Sequence, residues 1–158
     1  MTSRERVRKA IAHKEPDRVP VHDNPWPATV ARWRSEGLPA DANPADYFGY
    51  DVREVGLDLS PRIPEDILCE DDEFITQRTK WGAVRRNHKD LSTTPEIVDT
   101  PIKSKADWQA YRRKLERSPI TESDMAQAAS ELRKFREKGL YVAFHAVAGY
   151  DRMQSLIR

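Results

Sequence analysis

Cysteine is nearly absent from this chain. Cys69 stands alone among 158 residues, so no intrachain disulfide can form. A lone thiol fits a reducing cytosol, and a cytoplasmic location is expected. No apolar stretch approaches the roughly 18 residues of a membrane span, and the Arg-rich N-terminus lacks the apolar core of a secretory signal. An excess of one charge is lacking too. The 27 basic and 26 acidic side chains leave a net +1, which gives no electrostatic basis for binding nucleic acid or an anionic membrane. GxGxxG, Walker, GxSxG and HExxH motifs are missing, as are repeats and low-complexity tracts. Charge of both signs is plentiful. Charged residues make up 34% of the chain, above the roughly 25% of ordinary globular proteins. The basic runs Arg112-Arg113-Lys114 and Arg133-Lys134 fall on amphipathic stretches and read as solvated helix faces.

Local signals divide the chain. Thr2 and Glu5 have capping-box spacing ahead of a short helix with Val7, Ala10 and Ile11 on one face, which Pro16 is expected to stop. Arg18-Val19-Pro20-Val21 reads as a first strand, kept brief by Pro20. A loop at 22–27 precedes a helix over 28–36 that Gly37 ends, and Asn43-Pro44 starts one further turn. Near-alternation of Val52, Val55, Leu57 and Leu59 predicts a strand within 50–60. Residues 61–101 hold no strong helix and look like a small antiparallel excursion. Its hairpin is expected from Phe74–Thr79 and Gly82–Arg85 around Lys80-Trp81. Ser104 and Thr121 each head an amphipathic helix, and Gly139 ends the second. Leu140 to Phe144 is a continuous apolar run, the pattern of a parallel strand buried on both faces, with another helix beginning at Tyr150.

Four segments taken in order resemble the N-terminal part of the uroporphyrinogen decarboxylase superfamily. They are Glu15-Pro16-Asp17-Arg18-Val19-Pro20-Val21, Tyr47-Phe48-Gly49-Tyr50-Asp51, the Trp81-Gly82 hairpin, and the long helix leading into 140–149. The resemblance implies an α/β fold, a TIM (β/α)8 barrel carrying a small antiparallel hairpin excursion. Such a barrel needs about 250 residues, so residues 1–158 are expected to be the N-terminal portion of one domain, with the barrel incomplete. True decarboxylases of the family place arginines after the first strand to face an acidic substrate. Here His22-Asp23-Asn24-Pro25-Trp26-Pro27 stands instead, with no arginine before Arg32. The resemblance therefore favours the branch of corrinoid-linked methyltransferases over decarboxylation in tetrapyrrole biosynthesis. That branch implies a zinc ion and a corrinoid-protein or small-molecule methyl donor for the whole enzyme. The zinc ligands belong to the later half of the barrel, and no metal ligand is assigned in this chain.

If 18–21 is the first barrel strand, His22 and Asp23 lie on the C-terminal face, where barrel chemistry occurs. They are the candidate catalytic pair, as general base or substrate hydrogen-bond partner. The alternative is a loop whose Asp23 or Asn24 caps the following helix. Asn24, Trp26, His145 and Tyr150 are the candidate substrate-binding residues, against packing roles for Trp26 and His145. Cys69 sits among six carboxylates in residues 65–73 and is a poor nucleophile candidate. That acidic stretch reads as a solvated turn rather than a cation loop. A non-catalytic reading stays open, in which the stripe around Met125 to Phe135, with Trp108 and Tyr111, binds a partner or a second copy to form a homodimer.

Overall fold

The computed structural model describes residues 1–117, 120–147 and 149–157. Twelve elements follow in chain order: α1 (Ser3–Ile11), α2 (Pro27–Ser35), α3 (Pro44–Tyr47), β1 (Val52–Gly56), β2 (Asp66–Glu70), β3 (Phe74–Arg78), β4 (Val84–His88), β5 (Glu96–Asp99), α4 (Lys105–Glu116), α5 (Glu122–Glu137), β6 (Tyr141–His145) and α6 (Tyr150–Gln154). The chain is mixed α/β. A two-stranded parallel sheet pairs β1 with β6, and a four-stranded antiparallel sheet runs β2-β3-β4-β5. Among the described residues these sheets do not close into a barrel. No described helix is long and apolar enough to cross a membrane. The chain forms two compact units, residues 1–57 with 121–146, and residues 58–120 with 147–158.

In the first unit, local chemistry sets the helices. Thr2 and Glu5 close a reciprocal capping box on α1, and Thr121 and Asp124 do the same on α5, each satisfying otherwise orphaned N–H groups. The α1 helix ends before Pro16, where His13 turns into the left-handed region at φ 54° and the Lys14 N–H returns to the Lys9 carbonyl. Asn43 caps α3 with Pro44 at the first position. Trp33, Tyr47, Phe48 and Tyr50 form an aromatic cluster with edge-on and stacked rings. The apolar stripe of α5 lies against β1 and β6, so the long connection between them returns the chain in parallel.

Asp51, just before β1, has no exposed surface. Its carboxylate accepts hydrogen bonds from the Ser3 hydroxyl, the Arg6 and Arg18 guanidinium groups and the Val21 N–H. Arg6 also forks onto Asp17. Burial pushes the Asp51 carboxyl up, but these donors outweigh it and hold it at about 2. Two of the resembling segments, 15–21 and 47–51, thus meet at one buried carboxylate.

Several expectations need correction. Residues 18–21 form no strand. Pro20 offers no N–H, Val19 is 80% exposed, and the segment is tied down by the bonds of Arg18 and Val21 to Asp51 rather than by a strand ladder. The β6 strand is parallel, as its apolar run suggests, yet it is half-buried rather than covered on both faces. Phe144 is 62% exposed, because β1 is its one partner among the described residues.

The excursion forms the second unit's sheet and is larger than one hairpin. β3 and β4 pair from Phe74↔His88 to Arg78↔Val84, and β2 and β5 flank them. The acidic stretch read as a turn contains β2, an outer strand whose residues are all exposed. The core gathers Ile102, Tyr111 and Leu156, with Ile63, Trp81 and Leu115 packed on them. The Tyr111 hydroxyl donates to the Trp81 carbonyl at 2.8 Å, and the Arg152 guanidinium lies 3.9 Å from the centroid of the Trp81 ring. Of the helix expected from Tyr150, α6 covers five residues. Ala148 and Arg158, within the expected last strand turn and helix, lie outside the described residues.

Candidate functional site

The parallel register of β1 and β6 creates the most reactive grouping of the first unit. Gly56 is opposite His145, and Glu54 opposite Ala143. Side chains alternate along a strand, so Glu54 and His145 share one face of the pair. Val55 and Phe144 take the other, where they line an apolar groove of about 310 Å³ with Met125 and Leu132 of α5. The loop after the buried Asp51 knot carries His22 to the same carboxylate. His22 Nε2 lies 3.3 Å from Glu54 Oε1, and His145 Nδ1 lies 3.3 Å from Glu54 Oε2. All three side chains are one-third to one-half exposed, so a solute can reach them.

Glu54 faces one nitrogen of each ring, and the opposite nitrogens, His22 Nδ1 and His145 Nε2, have no hydrogen bond among the described residues. A carboxylate behind an imidazole orients the ring and stabilises the imidazolium once it takes a proton. Here one carboxylate serves two rings, placing two bases side by side at the C-terminal ends of parallel strands. That end is where open α/β sheets and barrels gather their chemistry.

Two candidates from the sequence, His22 and His145, are therefore brought together. The others are not. Asp23 accepts from the Asn24 N–H at 2.8 Å, and its charge adds to burial in raising the Tyr50 hydroxyl above its ordinary value. Neither Asp23 nor Asn24 caps α2. That position belongs to Trp26, which makes no side-chain capping bond and is 52% exposed. Tyr150 begins α6 in the second unit and is 77% exposed. Sequence reasoning missed Glu54. The available signal was a carboxylate interrupting the apolar alternation of Val52 and Val55.

Among the described residues no group of three or more His, Cys, Asp or Glu side chains can hold a metal ion. The zinc that the resemblance implies for the whole enzyme therefore finds no ligand set among the described residues. No protein-family profile, curated protein or solved structure matches the chain.

Proposed function

We propose that this chain provides the first part of a uroporphyrinogen-decarboxylase-like (β/α)8 barrel, and that the whole enzyme is a corrinoid-linked methyltransferase of the cytoplasm. The observation that carries the reading is the His22–Glu54–His145 cluster at the C-terminal ends of β1 and β6. Methyl transfer to a thiol releases the thiol proton. His22 Nδ1 or His145 Nε2 accepts it, and Glu54 stabilises the resulting imidazolium. The parallel pairing of β1 with β6, with α5 packed on both strands, supports a barrel wall. Val142 and Phe144 line the groove beside α5, which suits the contact between a barrel and its outer helices. The loop at 22–27 offers no arginine to grip an acidic porphyrinogen, which disfavours decarboxylation.

The test uses the protein expressed from its full reading frame, with methylcobalamin and a panel of small thiols, followed by cobalamin absorbance. Thiol-dependent demethylation that falls about 100-fold in Glu54→Gln is the expected result, the lower range of a lost acid–base group. Release of carbon dioxide from uroporphyrinogen, or full methyl transfer by Glu54→Gln, overturns it. The apolar groove favours a second reading, a non-catalytic protein that self-associates. Absence of turnover together with a dimer that Phe144→Ser dissociates supports that one.

A further inference from the structure

A separate depression of the first unit lies where β6 begins, at the opposite end of that strand from His145. It encloses about 340 Å³ and is lined by Arg4, Arg8 and Ile11 of α1, Arg136 of α5, and Tyr141 and Val142. No acidic side chain lines it. Five arginines elsewhere, Arg6, Arg18, Arg32, Arg53 and Arg112, are paired with carboxylates. Among the described residues Arg4, Arg8 and Arg136 make no ion pair or side-chain hydrogen bond.

Helix electrostatics account for two of the three. Arg8 and Arg136 stand in the last turns of α1 and α5, where the helix dipole favours a cation. Arg4 stands in the first turn of α1, where the dipole opposes one. It also precedes Arg8 by four residues, the spacing at which like charges on a helix repel. Arg4 thus adds positive charge to the pocket against its local preference. An anion between the three guanidinium groups would offset both effects.

The apolar part of the lining narrows the ligand. Ile11 is 63% exposed beside the arginines, and Val142 lies with it. A phosphate monoester carries close to two negative charges and three outer oxygens. That matches three guanidinium forks better than a lone carboxylate, which one arginine satisfies bidentately.

We propose that this pocket binds an organic phosphate, with the phosphoryl group among Arg4, Arg8 and Arg136 and its apolar body on Ile11 and Val142. The site lies apart from the histidine cluster and does not depend on the methyl-transfer reading.

The experiment titrates the full chain with 1-naphthyl phosphate, read by its fluorescence, and with 1-naphthol, 1-naphthoate and inorganic phosphate for comparison. Saturable binding of the naphthyl phosphate is expected. It weakens at least tenfold in the Arg4→Gln/Arg8→Gln double variant and in Arg136→Gln, with unchanged unfolding midpoints. Ile11→Asn weakens naphthyl phosphate but not inorganic phosphate. Equal affinity for 1-naphthol or for 1-naphthoate, or unchanged affinity in both arginine variants, overturns the proposal.

Discussion

Asp51 and Arg6 form an ion pair in which the carboxylate has no exposed surface and the guanidinium almost none. A buried pair of this kind contributes little by itself relative to an apolar core, yet removing one partner strands the other charge away from water. Asp51→Asn is therefore expected to destabilise the first unit by about 3 kcal/mol, the lower end for a broken buried pair, since Asp17 still meets Arg6. A urea melt measures it. The same carboxylate sets an acid limit. Its folded value of about 2 lies below its ordinary 3.8, so its contribution is present above pH 3.8 and is lost as pH falls toward 2. Asp17, held down mainly by its hydrogen bond from Arg6, acts in the same direction. Stability measured from pH 5 down to pH 2 should fall less steeply in Asp51→Asn than in the wild type.

Tyr111 sets an alkaline limit in the second unit. Burial pushes its hydroxyl up to about 12, against the opposing charge of Arg152. The neutral form is the one the fold accepts, so its contribution is complete below the ordinary value of 10 and is lost as pH rises toward 12. Tyr111→Phe leaves the Trp81 carbonyl without its donor and should cost about 1 kcal/mol at neutral pH. The difference between wild type and Tyr111→Phe should shrink between pH 9 and pH 11, read from unfolding midpoints. A constant difference contradicts the assignment.

Gly82 closes the turn between β3 and β4 at φ 85°. A Cβ there would stand 2.8 Å from Ile63 Cδ1 and 3.3 Å from Pro101 Cβ. Gly82→Ala is expected to cost about 1–2 kcal/mol through the left-handed backbone alone, with the Ile63 contact added. Removing that methyl in Gly82→Ala/Ile63→Val should recover part of the loss in a thermal melt, and the backbone share should persist.

What was legible in the sequence was local. Thr2 with Glu5, Asn43 with Pro44, Ser104 and Thr121 marked helix starts because a cap is satisfied within three residues of itself. β2 escaped notice because Ile67, Leu68 and Cys69 run together between Asp66 and Glu70 without alternation, and the strand is defined by its hydrogen bonds to β3. The opposite error befell Val19 and Val21. Their residue types suit a strand, but among the described residues no neighbouring strand supplies the ladder. Of the candidate site, His22 and His145 stood out by type and position. Glu54 joined them only through the parallel register that sets Gly56 against His145, a long-range pairing that neither segment carries alone. The Asp51 knot was hidden for the same reason, since its donors come from 3, 6, 18 and 21.

The bare outer edge of β2 has a meaning of its own. An unpaired strand edge is a template on which another copy can add a strand. Here that edge carries Asp66 and Glu70, with Glu65, Asp71 and Asp72 just beyond it, and Lys89 neutralises Glu70 alone. Two such edges approaching each other bring carboxylate toward carboxylate and the exposed Cys69 thiols toward one another. The carboxylates at the two ends of β2 repel a like edge, against the pull of the exposed Ile67 and Leu68 between them.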